Sequence, residues 1–166
     1  NNVRHRKRYY RYIRNLLDSG VPIDGIGFQS HIPKGFNPTS PEEIIRIADD
    51  FSSLGPELQV TEFDFETSNQ DLQARYTQDF LTAIFSHQKM TGLITWTPFE
   101  YAKNNVPKPE AALIDKDLQF KPNGLVWYEL INKRWMTKLS GYTDGDGYLN
   151  FRGCLLYTSP SPRDTG

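Results

Sequence analysis

Two hydrophobic periods alternate along this chain, and few architectures accommodate that order. Arg4 to Ser19 carries Tyr9, Tyr12, Ile13, Leu16 and Leu17 at helical spacing, and Gly20 supplies the stop. Asp24 to Ser30 reads as a short strand. Its odd positions are Gly25, Gly27 and Gln29, and its even positions centre on Ile26 and Phe28. A second helix starts at Ser40, with Ser40 as N-cap, Pro41 at the first helical position and Glu43 completing a capping box. Ile44, Ile47, Ala48 and Phe51 form its apolar stripe. Gln59 to Phe65 is the next strand. Ser68 to Gln88 is a third helix, with Leu72, Tyr76, Phe80, Ala83 and Ile84 on one face. Gly92 to Thr97 is a third strand, and Asn123 to Trp135 a fourth helix carrying Leu125, Val126, Ile131 and Trp135.

The order α-β-α-β-α-β-α predicts an α/β fold with a parallel sheet and crossover helices. The first strand has one small, polar face and one bulky face. A barrel strand needs that division, because small side chains meet the crowded axis and bulky ones pack on helices. Each strand ends in a polar or aromatic cluster: Gln29-Ser30-His31, Glu62-Phe63-Asp64, and Trp96 through Glu100. Ligands of barrels and doubly wound sheets bind at those strand ends. At 166 residues the chain is shorter than the roughly 250 of a complete eight-stranded barrel, so part of a barrel is expected.

Glu62 and Asp64 share strand parity and face one side, with Thr61 and Phe63 facing the other. Carboxylates directed at a barrel axis are costly unless hydrogen-bonded or used. Taken alone, the two acids read equally well as solvated groups at a strand end. His31 changes that, because it ends the preceding strand on the polar face, and neighbouring strands lie about 4.8 Å apart. Its imidazole can reach both acids. A metal site is the competing reading, but no HExxH or closely paired histidines support one.

Other features point to plainer roles. Arg4, His5, Arg6, Lys7, Arg8 and Arg11 read as a solvated helix face rather than a nucleic-acid patch. The net charge of −1 gives no electrostatic argument for a nucleic-acid or membrane partner. No apolar run approaches the roughly 18 residues of a membrane span. Thr143-Asp144-Gly145-Asp146-Gly147-Tyr148 reads as a strand-turn-strand hairpin. A calcium loop fails there, because Leu155 stands where a bidentate Glu is needed.

Four blocks carry a specific resemblance. Gly25-Ile26-Gly27-Phe28-Gln29-Ser30-His31, Val60-Thr61-Glu62-Phe63-Asp64, Gly92-Leu93-Ile94-Thr95-Trp96, and Ala112-Leu113-Ile114-Asp115 followed by Lys121-Pro122 resemble, in order and spacing, the later strands of glycoside hydrolase family 10. The likeness runs from about residue 9 to 135. It implies the C-terminal half of a (β/α)8 barrel, strands six to eight with helices five to eight, from a retaining endo-1,4-β-xylanase. It also implies Glu62 as nucleophile, with His31 bridging Glu62 and Asp64 in support. Gln29 would line the site, and Trp96 would form the floor under the sugar. No cofactor is implied. The partner would be xylan or a xylo-oligosaccharide, and the parent is expected to be monomeric and secreted.

The chain departs from the family at Trp96-Thr97-Pro98-Phe99-Glu100-Tyr101, where the family usually has Trp-Gly shortly before an Asp and then a second Trp. Either Phe99 or Tyr101 would take over that second aromatic contact. The acid/base, which the family carries in an Asn-Glu motif on the fourth strand, is not in this chain. The expected layout is barrel over 1–135 and the start of a β-rich extension over 136–153. The tail, 154–166, resembles a translated sequencing adapter and contains the single cysteine, Cys154.

Overall fold

The computed structural model describes residues 2–96, 98–100, 109–138 and 140–150. Its helices are α1 (Val3–Asp18), α2 (Pro41–Ser52), α3 (Gln70–Ser86) and α4 (Pro122–Glu129). Its strands are β1 (Gly25–Phe28), β2 (His31–Ile32), β3 (Glu57–Phe65) and β4 (Met90–Thr95). A 3-10 turn at Pro109–Ala111 precedes α4, and a π-helical turn, Leu130–Arg134, extends it. The predicted alternation is present, with one addition: the first strand divides in two at Ser30.

All pairings are parallel. β3 is central, with β1 and then β2 along one side and β4 along the other. The helices cover one face. Ile26 and Leu58 pack with Ile13, Ala48 and Phe51. Val60, Phe63 and Phe65 pack with Ile44, Tyr76, Phe80, Ala83 and Ile84. Phe63 stacks on Phe80 with ring centroids 4.1 Å apart. The opposite face carries Gly25, Gly27, Gln59 and Gly92. Gln59 lies against Gly92, where an added Cβ would come within 3.1 Å of the glutamine side chain. This is the small-and-polar versus bulky division read from the sequence.

Each helix start is locally encoded. Asn2 caps α1 through His5 N, Ser40 caps α2 through Glu43 N, and Asn69 caps α3 through Leu72 N. The capping box at Ser40 is half formed, because the Glu43 carboxylate turns instead to Arg6 Nη1 at 2.8 Å. Arg6 thus leaves the solvated basic face and ties α1 to α2.

Three helix faces differ from the prediction. On α1, Tyr10 replaces Tyr12: Tyr10 packs edge-on against Phe51 at 5.4 Å, whereas Tyr12 is exposed. On α3, Leu72 is exposed and its neighbour Gln73 is buried. On α4 and the π-helical turn that extends it, Leu125 and Ile131 are exposed, while Asn123, Gly124 and Leu130 are buried and Trp127 packs on the core. Gly124 explains the α4 phase. A Cβ there would lie 2.1 Å from the Leu113 carbonyl oxygen, so this face alone can press against the preceding loop. Trp135 stacks on Phe85 at 4.1 Å, beyond the π-helical turn.

The Asp144 turn is present, with Asp144 N bonded to Tyr148 O and Gly147 at φ +84. Asp144 Oδ1 accepts from the backbone N–H of Asp146 and Tyr148, so the side chain caps its own turn. No strands flank it among the described residues. The tail, 154–166, and Tyr101 lie outside the described residues.

Candidate active site

β3 carries the site, and an irregularity in β3 shapes it. Leu58 and Val60 face the helices, and so do Phe63 and Phe65. Strict alternation cannot join those two pairs. The register with β4 slips between Val60 and Phe63, which marks one extra residue in β3. Thr61 and Glu62 therefore both face the interior. Thr61 Cγ2 lies 3.0 Å from the position of a Cβ on Gly27, which corrects its expected place on the far side. Glu62 and Asp64 share the interior face, as their parity predicts.

His31 stands opposite Asp64 in β2. Its Nδ1 lies 2.8 Å from Asp64 Oδ2, and its Nε2 lies 3.0 Å from Glu62 Oε2. These are hydrogen-bond lengths to acceptors at both ends of one ring. A neutral imidazole donates to one of them and an imidazolium to both. The Asp64 side chain is fully buried, whereas that of Glu62 remains 28% exposed. One carboxylate is thus locked beneath the ring while the other keeps an open approach. Each ring nitrogen is directed at a carboxylate oxygen, so the ring serves as a bridge. Among the described residues no group of three His, Cys, Asp or Glu is arranged to hold a metal ion.

Trp96 follows β4. Its backbone N–H donates to the Phe63 carbonyl at 2.9 Å, and its indole meets the His31 ring edge-on at 6.3 Å. The residue is 41% exposed, which leaves it open to a ligand. Gln29 is exposed beside His31 and lines a cavity of about 610 Å³. That cavity runs mainly beneath the sheet among Ile44, Phe51, Val60 and Phe80; Glu62, Asp64 and Trp96 do not line it. The structure therefore brings His31, Glu62, Asp64 and Trp96 together, and leaves Gln29 at the margin with no described contact to the acids.

A second set of residues holds the rim in place. Gln73 is 1% exposed, and its Nε2 donates to Phe65 O at 2.6 Å and to Glu110 O at 2.7 Å. The strand end bearing Asp64 is thereby tied to the loop after β4. Lys121 Nζ donates to Pro109 O and Glu110 O at 3.0 Å, and its burial lowers its pKa. Lys34, from the loop after β2, reaches Glu110 Oε1 at 2.8 Å, and that bond raises the lysine pKa. Asn123 Nδ2 donates to Ala111 O and Ala112 O. Sequence reasoning missed this clamp. Its signal was a polar residue on an apolar stripe, since Gln73 falls in helical phase with Thr77, Phe80 and Ile84.

The model of glycosyl hydrolase family 10 matches residues 1–129. The chain belongs to glycosyl hydrolase family 10. Among curated relatives, endo-1,4-beta-xylanase A of Thermoanaerobacterium saccharolyticum is 37% identical over 121 residues, covering 68% of this chain and 10% of that protein. Endo-1,4-beta-xylanase 2 of Arabidopsis thaliana is 28% identical over 89% of this chain and 13% of its own length. The anti-sigma-I factor RsgI6 of Acetivibrio thermocellus is 27% identical over 83% of this chain and 17% of its own length. The chain thus spans a small part of each of these relatives.

Among solved structures, the intracellular xylanase TsXylA of T. saccharolyticum superposes with a TM-score of 0.60 at 30% identity, over 73% of this chain and 39% of that one. Mutants of TsXylA are described in complex with xylotetraose and xylotriose. Xylanase 10B of Thermotoga petrophila, in complex with xylobiose, gives a TM-score of 0.63 at 26% identity, over 76% of this chain and 41% of that one. These family 10 neighbours imply a (β/α)8 barrel, of which this chain forms part. A xylanase-like glycoside hydrolase is the class they support.

Proposed function

We propose that the chain is the C-terminal half of a retaining endo-1,4-β-xylanase barrel, strands six to eight with helices five to eight, and that Glu62 is its nucleophile. One observation carries this reading: His31 bridges a sealed Asp64 and an accessible Glu62. In the proposed reaction Glu62 attacks the anomeric carbon of a xylosyl unit, and the glycosidic oxygen departs with a proton from a second carboxyl group. Water then releases the sugar from the glycosyl ester, with the second carboxyl acting as base. His31 holds Glu62 at the attack position, and Asp64 holds His31. Trp96 offers a flat apolar surface to the pyranose ring, and Gln29 borders the cleft.

Retaining chemistry places the second carboxyl about 5–5.5 Å from the nucleophile. We assign it, and the other half of the cleft, to barrel strands outside this sequence. The substrate is xylan or a xylo-oligosaccharide, and the parent enzyme acts as a secreted monomer on the extracellular polymer. The 166-residue chain alone is then inactive on xylan. The complete gene product releases reducing sugar from xylan in preference to cellulose or mannan. Turnover by the isolated chain would refute the assignment of the acid/base, and a preference for another glycan would refute the substrate.

One observation also fits a second reading, a carbohydrate-binding role without turnover: Trp96 is partly exposed beside His31, and a flat indole there would hold a sugar whether or not it is cleaved. Xylo-oligosaccharide binding by the complete protein, with no hydrolysis, would decide for it.

A further inference from the structure

α1 carries its charges the wrong way round for a helix. The N-terminal end is the positive end of the helix dipole and favours acids. α2 has Glu42 and Glu43 in its first turn, and α3 has Asp71. α1 has none there; its one acid is Asp18, its last residue, behind Arg4, Arg6, Lys7, Arg8, Arg11 and Arg14. Five of these cations form a stripe. At 3.6 residues per turn, Arg4, Lys7, Arg8, Arg11 and Arg14 fall within an arc of about 120°, roughly opposite the buried Ile13. All five are exposed. Arg6 lies off the stripe and is paired with Glu43. Among the described residues, none of the five stripe cations comes within ion-pair distance of a carboxylate.

The stripe works against its own helix. Arg4–Lys7, Arg4–Arg8, Lys7–Arg11, Arg8–Arg11 and Arg11–Arg14 are like-charged neighbours three or four residues apart. It points away from the core, so it adds nothing to packing. A break with local rules that has no compensation inside the fold marks a use outside it. Tyr12, 64% exposed, stands one turn beyond Arg8 and borders the stripe with an aromatic ring. The stripe also begins beside the site: Asn2, His5 and Arg6 of α1 line the same cavity as Gln29 and His31. From there Arg4 to Arg14 extends about 15 Å along the outside of the sheet.

We propose that this face of α1 docks the uronic acid side groups of a polymeric substrate. The arginines and Lys7 pair with carboxylates, Tyr12 offers a stacking surface to a sugar ring, and the polymer is held alongside the cleft. The inference rests on the xylan reading above, which supplies the polyanion that such an enzyme meets.

The test uses the complete gene product carrying Glu62→Ala, so that the polymer survives. Binding to immobilised glucuronoxylan is compared with binding to the same polymer after its carboxyl groups are reduced. At low salt the carboxylated form should bind about tenfold or more tightly, and about 0.5 M NaCl should abolish the preference. Combining Arg4→Gln, Lys7→Gln, Arg8→Gln, Arg11→Gln and Arg14→Gln should abolish it too. In the enzyme with Glu62 intact, the same five changes should leave Tm no lower and hydrolysis of neutral xylo-oligosaccharides unchanged. Equal binding of the two polymers, a preference that survives the five changes, or a fall in Tm that reveals a structural partner would overturn the proposal. So would tighter binding to a DNA duplex or to phosphatidylglycerol vesicles than to glucuronoxylan. Failure of the xylan reading itself would show separately, as no cleavage of neutral xylo-oligosaccharides by the enzyme with Glu62 intact.

Discussion

Replacing Gln73 tests whether the rim clamp is as important as its geometry implies. Gln73→Met keeps an unbranched side chain of similar length and removes both amide donors. The Glu110 carbonyl retains Lys121 Nζ at 3.0 Å, so only the Phe65 carbonyl is left without its described side-chain donor. An orphaned buried carbonyl costs about 1–3 kcal/mol, and a lost bond whose acceptor keeps another donor costs about 0.5–1.5 kcal/mol. Against this, Gln73 Oε1 is buried without a hydrogen-bond partner among the described groups, and methionine removes that penalty. The net expectation is a loss of about 2 kcal/mol. For a chain of this size that corresponds to a fall in Tm of about 4–8 °C. Gln73→Glu should cost more, because it places a buried carboxylate against two carbonyl oxygens. Urea denaturation followed by tryptophan fluorescence measures both. A Gln73→Met midpoint indistinguishable from the parent, or Gln73→Glu as stable as Gln73→Met, would refute the clamp.

Gly124→Ala drives a Cβ to 2.1 Å from the Leu113 backbone, so it should cost about 3 kcal/mol or more in the same denaturation assay, while Gly145→Ala, with nothing within 4 Å, should be close to neutral. Gly27→Ala presses on Thr61 Cγ2 at 3.0 Å; it should lower stability by about 1 kcal/mol and disturb the His31 ring signals by NMR. Arg6 holds the Glu43 carboxyl below its ordinary value through a hydrogen bond. That contribution is present above the unfolded carboxylate pKa and disappears as pH falls through the lower folded value, so Arg6→Ala should flatten the acid limb of a stability–pH curve. β1 and β4 end the described ladder with unpaired edges, and Ile94 and Leu125 are exposed, so sedimentation should show the isolated chain associating rather than remaining monomeric.

The order of elements was legible because hydrophobic period reports which face of an element is covered. Both acids and the histidine were legible for the same reason, since parity and strand adjacency suffice to bring them together. What escaped the sequence is what periodicity cannot carry. The bulge at Thr61–Glu62 changes parity within a strand, and only its pairing partners reveal it. Ser30 has no residue-type signature of a left-handed conformation. Gln73 was passed over because an apolar stripe was sought and its neighbour Leu72 is the more apolar side chain. On α4, the choice of face was made by the absence of a side chain at Gly124, which a count of apolar residues overlooks.

The account stands or falls on which carboxylate becomes covalently bound to sugar. The complete enzyme, incubated with a 2-fluoro-xylobioside bearing a leaving group that needs no protonation, should accumulate the glycosyl ester, and peptide mass spectrometry locates it. The expected adduct lies on Glu62, with none in Glu62→Ala. An adduct on Asp64 or Glu100, or hydrolysis of xylan with inversion and no adduct at all, would contradict it.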